Sequence, residues 1–158
     1  MSAADNVKLM HAARHARPHS RAGTLTPTRS VNQANRKAVY EKEPDAVKAT
    51  PEMDAMFKNE YAKAFVARTH DGEAVGLCLY FFSYSTWLGV PGIYLEDLYV
   101  KPEHRGSGLG KRLFGYLGEV ALERGCERVE WSVLNDEWTK ERIEGIEGIK
   151  KLAALKNE

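Results

Sequence analysis

The apolar residues of this chain are concentrated between residues 64 and 134, in short segments separated by glycine and proline. Four of these segments have strand length, and their β-branched and aromatic content predicts β-strands. They are residues 64–68, 74–84, 93–100 and 129–134. Asp71-Gly72 predicts a hairpin between the first two, and Gly89, Pro91 and Gly92 predict a turn before the third.

A helix is predicted between the third and fourth strands. Leu109, Leu113, Leu117 and Val120 recur on one helical face, and Gly125 is a typical helix-ending glycine. The succession of three strands, a helix and a strand predicts an α/β fold, with a mixed sheet and a β–α–β unit at its centre. We also expect a C-terminal helical stretch over about residues 138–156.

Charge divides the chain into two regions. Residues 1–39 hold seven basic residues and one acid, a net charge of +6, which leaves −5 on residues 40–158. No period persists in residues 1–36, so we predict a basic, mostly disordered tail there and a domain over residues 37–158. A mitochondrial transit peptide has a similar composition, but a solvated tail on a cytoplasmic protein is favoured. Nothing in the tail could read bases, so no specific nucleic-acid partner is predicted.

Composition narrows the remaining possibilities. The 158 residues suit a single domain, and no apolar segment approaches the ~18 residues of a membrane span, so no membrane partner is expected. Cys78 and Cys126 have no second ligand at metal-binding spacing, which predicts buried free thiols and no metal site.

The most informative segment is a glycine turn between the third strand and the helix. It reads Arg105-Gly106-Ser107-Gly108-Leu109-Gly110. Glycines let the backbone approach a ligand, and a helix N-terminus presents unpaired N–H groups, so the turn predicts a phosphate site. The spacing matches neither a Walker loop nor a dinucleotide fingerprint.

The form of this turn resembles the pyrophosphate loop of the GNAT N-acetyltransferases. The segment GLCLYFFSYSTWLGVPGIYLEDLYV at residues 76–100 resembles the diamine and thialysine acetyltransferases of that superfamily. The resemblance covers about residues 37–138. It implies a GNAT-like fold, a homodimer, and acetyl-CoA as co-substrate.

The resemblance also implies where acetyl-CoA binds. The strand that carries Leu98 would splay from its neighbour, and the Leu98 N–H would polarise the thioester carbonyl. The implied coenzyme-binding residues are Leu98, Tyr99, Val100, Arg105, Gly106, Ser107, Gly108, Leu109 and Gly110.

The amine acceptor would bind beside this strand. Glu96 is the implied general base, acting directly or through a water. The implied acceptor-binding residues are Tyr40, Glu41, Trp87, Glu96, Asp97, Glu130, Trp131 and Ser132. Other interpretations are open, since Glu96 and Asp97 can be an exposed strand pair, and Trp87 and Trp131 can be packing residues.

The chain departs from the family pattern in two places. The family begins with a strand and a full first helix, and residues 1–36 match neither. After Asn135 the family continues into a helix that supplies a tyrosine general acid, whereas this chain runs directly into Asp136, and residues 117–158 contain no tyrosine. The fold is therefore expected to be truncated.

Two functions follow from these observations. The first is an enzyme that moves an acetyl group from acetyl-CoA to a primary amine of a polyamine or lysine-like acceptor. The alternative is a catalytically impaired, CoA-binding remnant that acts as a binding or dimerisation module.

Overall fold

The computed structural model describes residues 8–11, 59–134 and 137–157. We number the elements of this part of the chain from its start. The strands are β1 Lys8–His11, β2 Lys63–Arg68, β3 Ala74–Ser85, β4 Val90–Val100, β5 Arg128–Leu134 and β6 Trp138–Glu144. The helices are α1 Leu109–Glu123 and α2 Ile146–Ala154.

The six strands form one mixed sheet in the order β1-β2-β3-β4-β5-β6. β4 and β5 are parallel, as expected for strands joined through a helix, and the other neighbours are antiparallel. The predicted β–α–β unit is therefore β4-α1-β5. The predicted α/β fold with a mixed sheet is confirmed.

Turn chemistry accounts for the two central hairpins. Gly72 has a φ of +88°, and its N–H donates to the Thr69 carbonyl at 3.0 Å, which closes the predicted turn between β2 and β3. Gly89 has a φ of +71° in the β3–β4 turn. The prediction that Pro91 and Gly92 belong to this turn is wrong, because both residues pair with β3 opposite Tyr84 and Ser83.

The main core lies between α1 and one face of the sheet. The predicted stripe of Leu109, Leu113, Leu117 and Val120 is buried there against strand residues such as Tyr80. At roughly 25 cal/mol per Å² of apolar surface, burial of such side chains is the main stabilising contribution. A smaller cluster of Ala64, Val66 and Leu77 lies on the opposite face of the sheet, which we call the second face.

The N-terminal prediction needs a correction. Residues 1–36 were expected to lack regular structure and a first strand, yet Lys8–His11 forms the edge strand β1, paired with Phe65–Arg68 of β2. Backbone pairing with an existing strand edge satisfies its N–H and C=O groups, which sequence periodicity does not reveal. The boundary between residues 36 and 37 lies outside the described residues.

The C-terminal prediction is wrong in its first half. Residues 138–144 form β6, and helix α2 begins only at Ile146. Trp138 pairs with Leu134 and Glu144 with Arg128, so β5 turns directly into β6 within three residues. As expected, those three residues leave no room for a helix between β5 and β6.

Helix α2 and the helical turn that follows it, Leu155–Asn157, pack on α1 through two glycines. A Cβ on Gly115 would lie 2.2 Å from the Lys156 backbone nitrogen, and one on Gly118 would lie 2.6 Å from that of Ala153. The missing side chains therefore let the two backbones approach closely. Ile149 and Leu152 of α2 are buried in the main core. None of the helices described is long and apolar enough to cross a membrane.

Candidate active site

The parallel strands β4 and β5 separate halfway along their length. Their pairing covers only Ile93–Leu95 with Val129–Trp131. Beyond that point β4 continues along β3 as far as Val100, while β5 continues along β6 as far as Leu134. A gap therefore opens between residues 96–100 of β4 and residues 132–134 of β5. Along this gap, the backbone N–H and C=O groups of β4 that face β5 are not paired with it, and the same holds for those of β5.

A β-bulge lies at the start of this gap. Leu79 pairs with Asp97 and Tyr80 pairs with Leu95, so Glu96 is an extra residue on β4. Such a bulge bends the strand and increases its local twist, which directs β4 away from β5. The Glu96 side chain is exposed at the bend.

Two backbone N–H groups of β4 point into the gap. Lys101 N–H donates to the Val75 carbonyl of β3 at 2.9 Å. Because N–H groups point alternately to the two sides of a strand, those of Val100 and Leu98 point away from β3. The Val100 carbonyl faces the same way, since it accepts a hydrogen bond from Arg105 Nε at 2.9 Å. The Leu98 N–H, which the family resemblance implies polarises a thioester carbonyl, therefore points into the gap.

The glycine turn follows directly and ends at α1. Gly106 and Gly108 have φ values of +77° and +79°, a conformation that favours glycine. Gly108 is the residue before the helix, and as a glycine it offers no capping side chain to the first turn of α1. The N–H groups of that turn therefore face an open pocket of about 470 Å³ at the N-terminus of the helix.

The turn is held in shape by its neighbours. Besides its bond to Val100, the Arg105 guanidinium lies over the Tyr99 ring at 5.9 Å. Ser107 Oγ donates to the His104 carbonyl at 2.7 Å. The pocket is lined by Val100, His104, Arg105, Gly106, Gly108, Leu109, Gly110 and Lys111. The structure thus brings most of the predicted coenzyme-binding residues together, and the positive end of the α1 dipole makes the pocket suitable for an anion.

Ser132 lies on the second face, where β4 and β5 begin to separate. Its Oγ is 2.8 Å from the Tyr94 hydroxyl, a hydrogen bond that bridges the two strands. Sequence analysis did not select Tyr94. Strand alternation could have done so, because Tyr94 stands two residues before Glu96 on the predicted strand.

Glu130 is part of an ion-pair cluster. Its side chain is 3% exposed, and its carboxylate lies 2.9 Å from Arg128 Nε, Lys140 Nζ and Arg142 Nη2. Burial raises the pKa of Glu130, but hydrogen bonds from Lys140 and Arg142 and the Arg128 charge outweigh it and lower the pKa overall. A carboxylate shared by three cations is poorly placed to bind a cationic acceptor, which argues against the predicted role.

Trp131 is also placed differently from its predicted role. Its ring meets Phe114 of α1 edge-on, with centroids 5.0 Å apart, so it packs in the main core. Neighbouring residues of a strand point to opposite faces. Trp131 therefore lies on the other side of the sheet from Ser132, which fits its alternative interpretation as a packing residue.

Trp87 lies far from the gap between β4 and β5 of the same chain. It is 93% exposed in the β3–β4 turn, before β4 begins at Val90. At about 3.3 Å per residue, the six steps along the strand from Val90 to Glu96 span roughly 20 Å. Asp97 lies on the second face, opposite Leu79. Tyr40 and Glu41 lie outside the described residues.

Comparisons with known proteins agree with this geometry. Residues 10–138 match the family model described as "Acetyltransferase (GNAT) family". The chain is 41% identical over 117 residues to a thialysine N-epsilon-acetyltransferase of Sus scrofa, covering 68% of this chain and 67% of that protein. It is 33% identical over 124 residues to a protein of the same name in Caenorhabditis elegans, covering 76% and 75%.

Solved structures share the fold at low sequence identity. An integron cassette protein from V. cholerae has a TM-score of 0.61 at 18% identity, covering 83% of this chain and 77% of the other. An acetyltransferase of Trypanosoma brucei has a TM-score of 0.58 at 19% identity, covering 83% and 85%. Both comparisons support the mixed sheet with helices on its face.

Proposed function

The chain belongs to the GNAT family of acetyltransferases, and from this premise we propose that it transfers the acetyl group of acetyl-CoA to a primary amine of a small cationic acceptor. The acceptor is a polyamine or a lysine-like amine. The proposal rests on one observation: the gap between β4 and β5, lined by backbone amides, lies next to the anion pocket at the glycine turn.

Acetyl-CoA fits these two features as follows. The pyrophosphate binds at the N-terminus of α1, where the N–H groups of the first turn and the helix dipole favour an anion. The pantetheine arm, which carries amide groups, lies in the gap and bonds to the backbone of residues 98–100. This arrangement directs the thioester toward the bulge at Glu96.

The chemistry needs a polarised carbonyl and a neutral amine. The Leu98 N–H donates to the thioester oxygen and stabilises the negative charge that develops on it. A primary amine is cationic at pH 7, so Glu96 accepts a proton from it, directly or through a water. The amine nitrogen then bonds to the acetyl carbon, the carbon–sulfur bond breaks, and the thiolate of CoA leaves. The proton that the nitrogen loses on becoming an amide passes to the thiolate or to solvent.

The acceptor approaches from the second face, where Asp97, Tyr94 and Ser132 lie. Asp97 attracts a cationic group, and the net charge of −5 on residues 40–158 favours cationic acceptors over acidic ones. We further propose a homodimer in which Trp87 of a second copy lines the acceptor channel. The exposed Trp87 turn is a feature that such an association would bury.

A second candidate function is a CoA-binding remnant with little catalysis. It is favoured by the direct turn from β5 to β6, since the family helix that carries the tyrosine acid has no counterpart there. The two candidates differ in turnover, because both bind acetyl-CoA and only the first releases CoA when an amine is added.

A steady-state assay of CoA release tests the proposed function, with lysine, thialysine and spermidine as acceptors and an acidic amine for comparison. We expect turnover of the cationic amines, and a loss of about 10²–10⁴-fold in kcat for Glu96→Gln, because a general base contributes that much. The matched control is Glu103→Gln, another exposed glutamate close by in the chain. If the protein binds acetyl-CoA but turns over no amine, the CoA-binding remnant is favoured. If kcat falls equally in Glu96→Gln and Glu103→Gln, Glu96 is not the general base.

A further inference from the structure

The second face carries a cluster of positive side chains on β5 and β6. Arg128, Lys140 and Arg142 surround the buried Glu130 carboxylate, and Glu144 lies 3.6 Å from Arg142. Three cations against two carboxylates leave a net charge of +1. The Lys140 side chain is 56% exposed, and its ion pair with Glu130 uses one of the three donors of an ammonium group.

This cluster begins close to the proposed general base. Leu95 and Trp131 are the last paired residues of β4 and β5, and the next residues, Glu96 and Ser132, lie on the two sides of the gap where it opens. Ser132 in turn pairs with Lys140 on β6. A row across three strands therefore begins at a carboxylate, passes the hydroxyl of Ser132 and ends at an ammonium group.

The length of this row suits a short acceptor. Two strand spacings amount to about 10 Å, and the gap between β4 and β5 widens this distance. The amine and carboxylate carbon of an extended lysine-like molecule lie roughly 7–8 Å apart by ordinary bond lengths. One hydrogen bond of about 3 Å at each end lets such a molecule bridge the row.

We propose that Lys140, supported by Arg142, binds the α-carboxylate of an amino-acid acceptor whose distal amine reaches Glu96. This inference rests on the proposed function and selects one acceptor class within it. A diamine would bring a second cation to the positive cluster, where like charges repel. An amino acid brings a carboxylate there instead. Lys140 and Arg142 are thus specificity-determining residues on β6.

Lysine and cadaverine provide the test, because they differ only in the carboxylate. We expect the wild-type kcat/KM to be at least about fivefold higher for lysine, the size of a partly exposed charge-assisted contact. Lys140→Met should bring the lysine-to-cadaverine ratio close to one, chiefly by raising KM for lysine. Lys140→Arg should keep the preference, since the charge is retained.

Lys150→Met is the matched control, because Lys150 is a similarly exposed lysine that pairs with Glu147 on α2. It should keep the wild-type ratio. A wild-type preference for cadaverine, or a ratio unchanged by Lys140→Met, overturns the inference while leaving acetyl transfer intact. If no amine is acetylated, the proposed function fails by itself. Calorimetric titration of lysine into the complex of the protein with CoA then still tests whether Lys140 binds the carboxylate. Equal lysine affinity in the wild type and in Lys140→Met overturns the inference.

Discussion

Gly108 shows how one residue can join backbone geometry to ligand chemistry. Its φ of +79° places it in the left-handed region, and a Cβ built on it meets no atom within 4 Å. The need for glycine therefore comes from the backbone conformation and from the pocket beside it. The same residue directly precedes α1, so any added side chain would stand where an anion is expected to bind.

Gly108→Asp should weaken acetyl-CoA binding by tenfold or more, because it places a negative charge beside the pyrophosphate. Isothermal titration calorimetry measures this effect. Gly125→Asp is the matched control, since Gly125 also has a positive φ, +64°, but lies beyond the C-terminal end of α1. Equal weakening in both variants would mean that backbone strain, and not the charge at the turn, is the cause.

At the scale of elements, the notable arrangement is the packing of α2 on α1. The chain passes from β5 through β6 and returns over α1, where Ile149 and Leu152 enter the main core. Helix α2 thus adds apolar cover to the main core. Gly115 and Gly118 make this close approach possible.

Gly118→Ala should destabilise the protein by about 1–3 kcal/mol, because its Cβ would push α2 out of the core. The measurement is the urea midpoint of unfolding. Gly110→Ala in the same helix is the control, since its Cβ would lie 3.8 Å from Val100 Cγ2, an ordinary contact. That variant should gain up to about 1 kcal/mol from helix propensity. A gain in both variants would show that α2 is not held against Gly118.

At the scale of the whole molecule, the features that we propose bind acetyl-CoA are present, whereas one catalytic group implied by the family resemblance is lacking. The gap, the bulge and the glycine turn are all present. The tyrosine that the family resemblance implies as the acid for the leaving thiolate has no counterpart in residues 117–158. A thiol is acidic enough for its thiolate to leave without a proton, so catalysis should be slow and not abolished.

Insertion of a family-type helix between Asn135 and Asp136, with its tyrosine, should raise kcat by about 10²–10⁴-fold, the usual contribution of general acid catalysis. The control is the same insertion with phenylalanine in place of that tyrosine, which supplies equal apolar cover without the hydroxyl. Steady-state CoA release measures both. Rescue by the phenylalanine version, or turnover near ~10 s⁻¹ in the unmodified chain, would contradict the account of the missing acid.

The comparison of prediction with structure separates local signals from long-range ones. Strands β2 to β5, helix α1 and the Asp71-Gly72 turn follow from local periodicity and turn chemistry, and each lies within a few residues of its predicted place. Strands β1 and β6 were missed, because neither has a distinctive pattern and each is stabilised by pairing with a neighbouring strand.

The sequence by itself determined the glycine turn, the residues around it and the family resemblance, because these depend on residue type and spacing along the chain. Only the tertiary structure decided which face of the sheet and which partners each side chain of β5 has. It placed Trp131 against Phe114, Glu130 among three cations and Ser132 beside Tyr94. The physical reason is that successive strand residues face opposite sides of the sheet, and their partners come from elements distant in sequence.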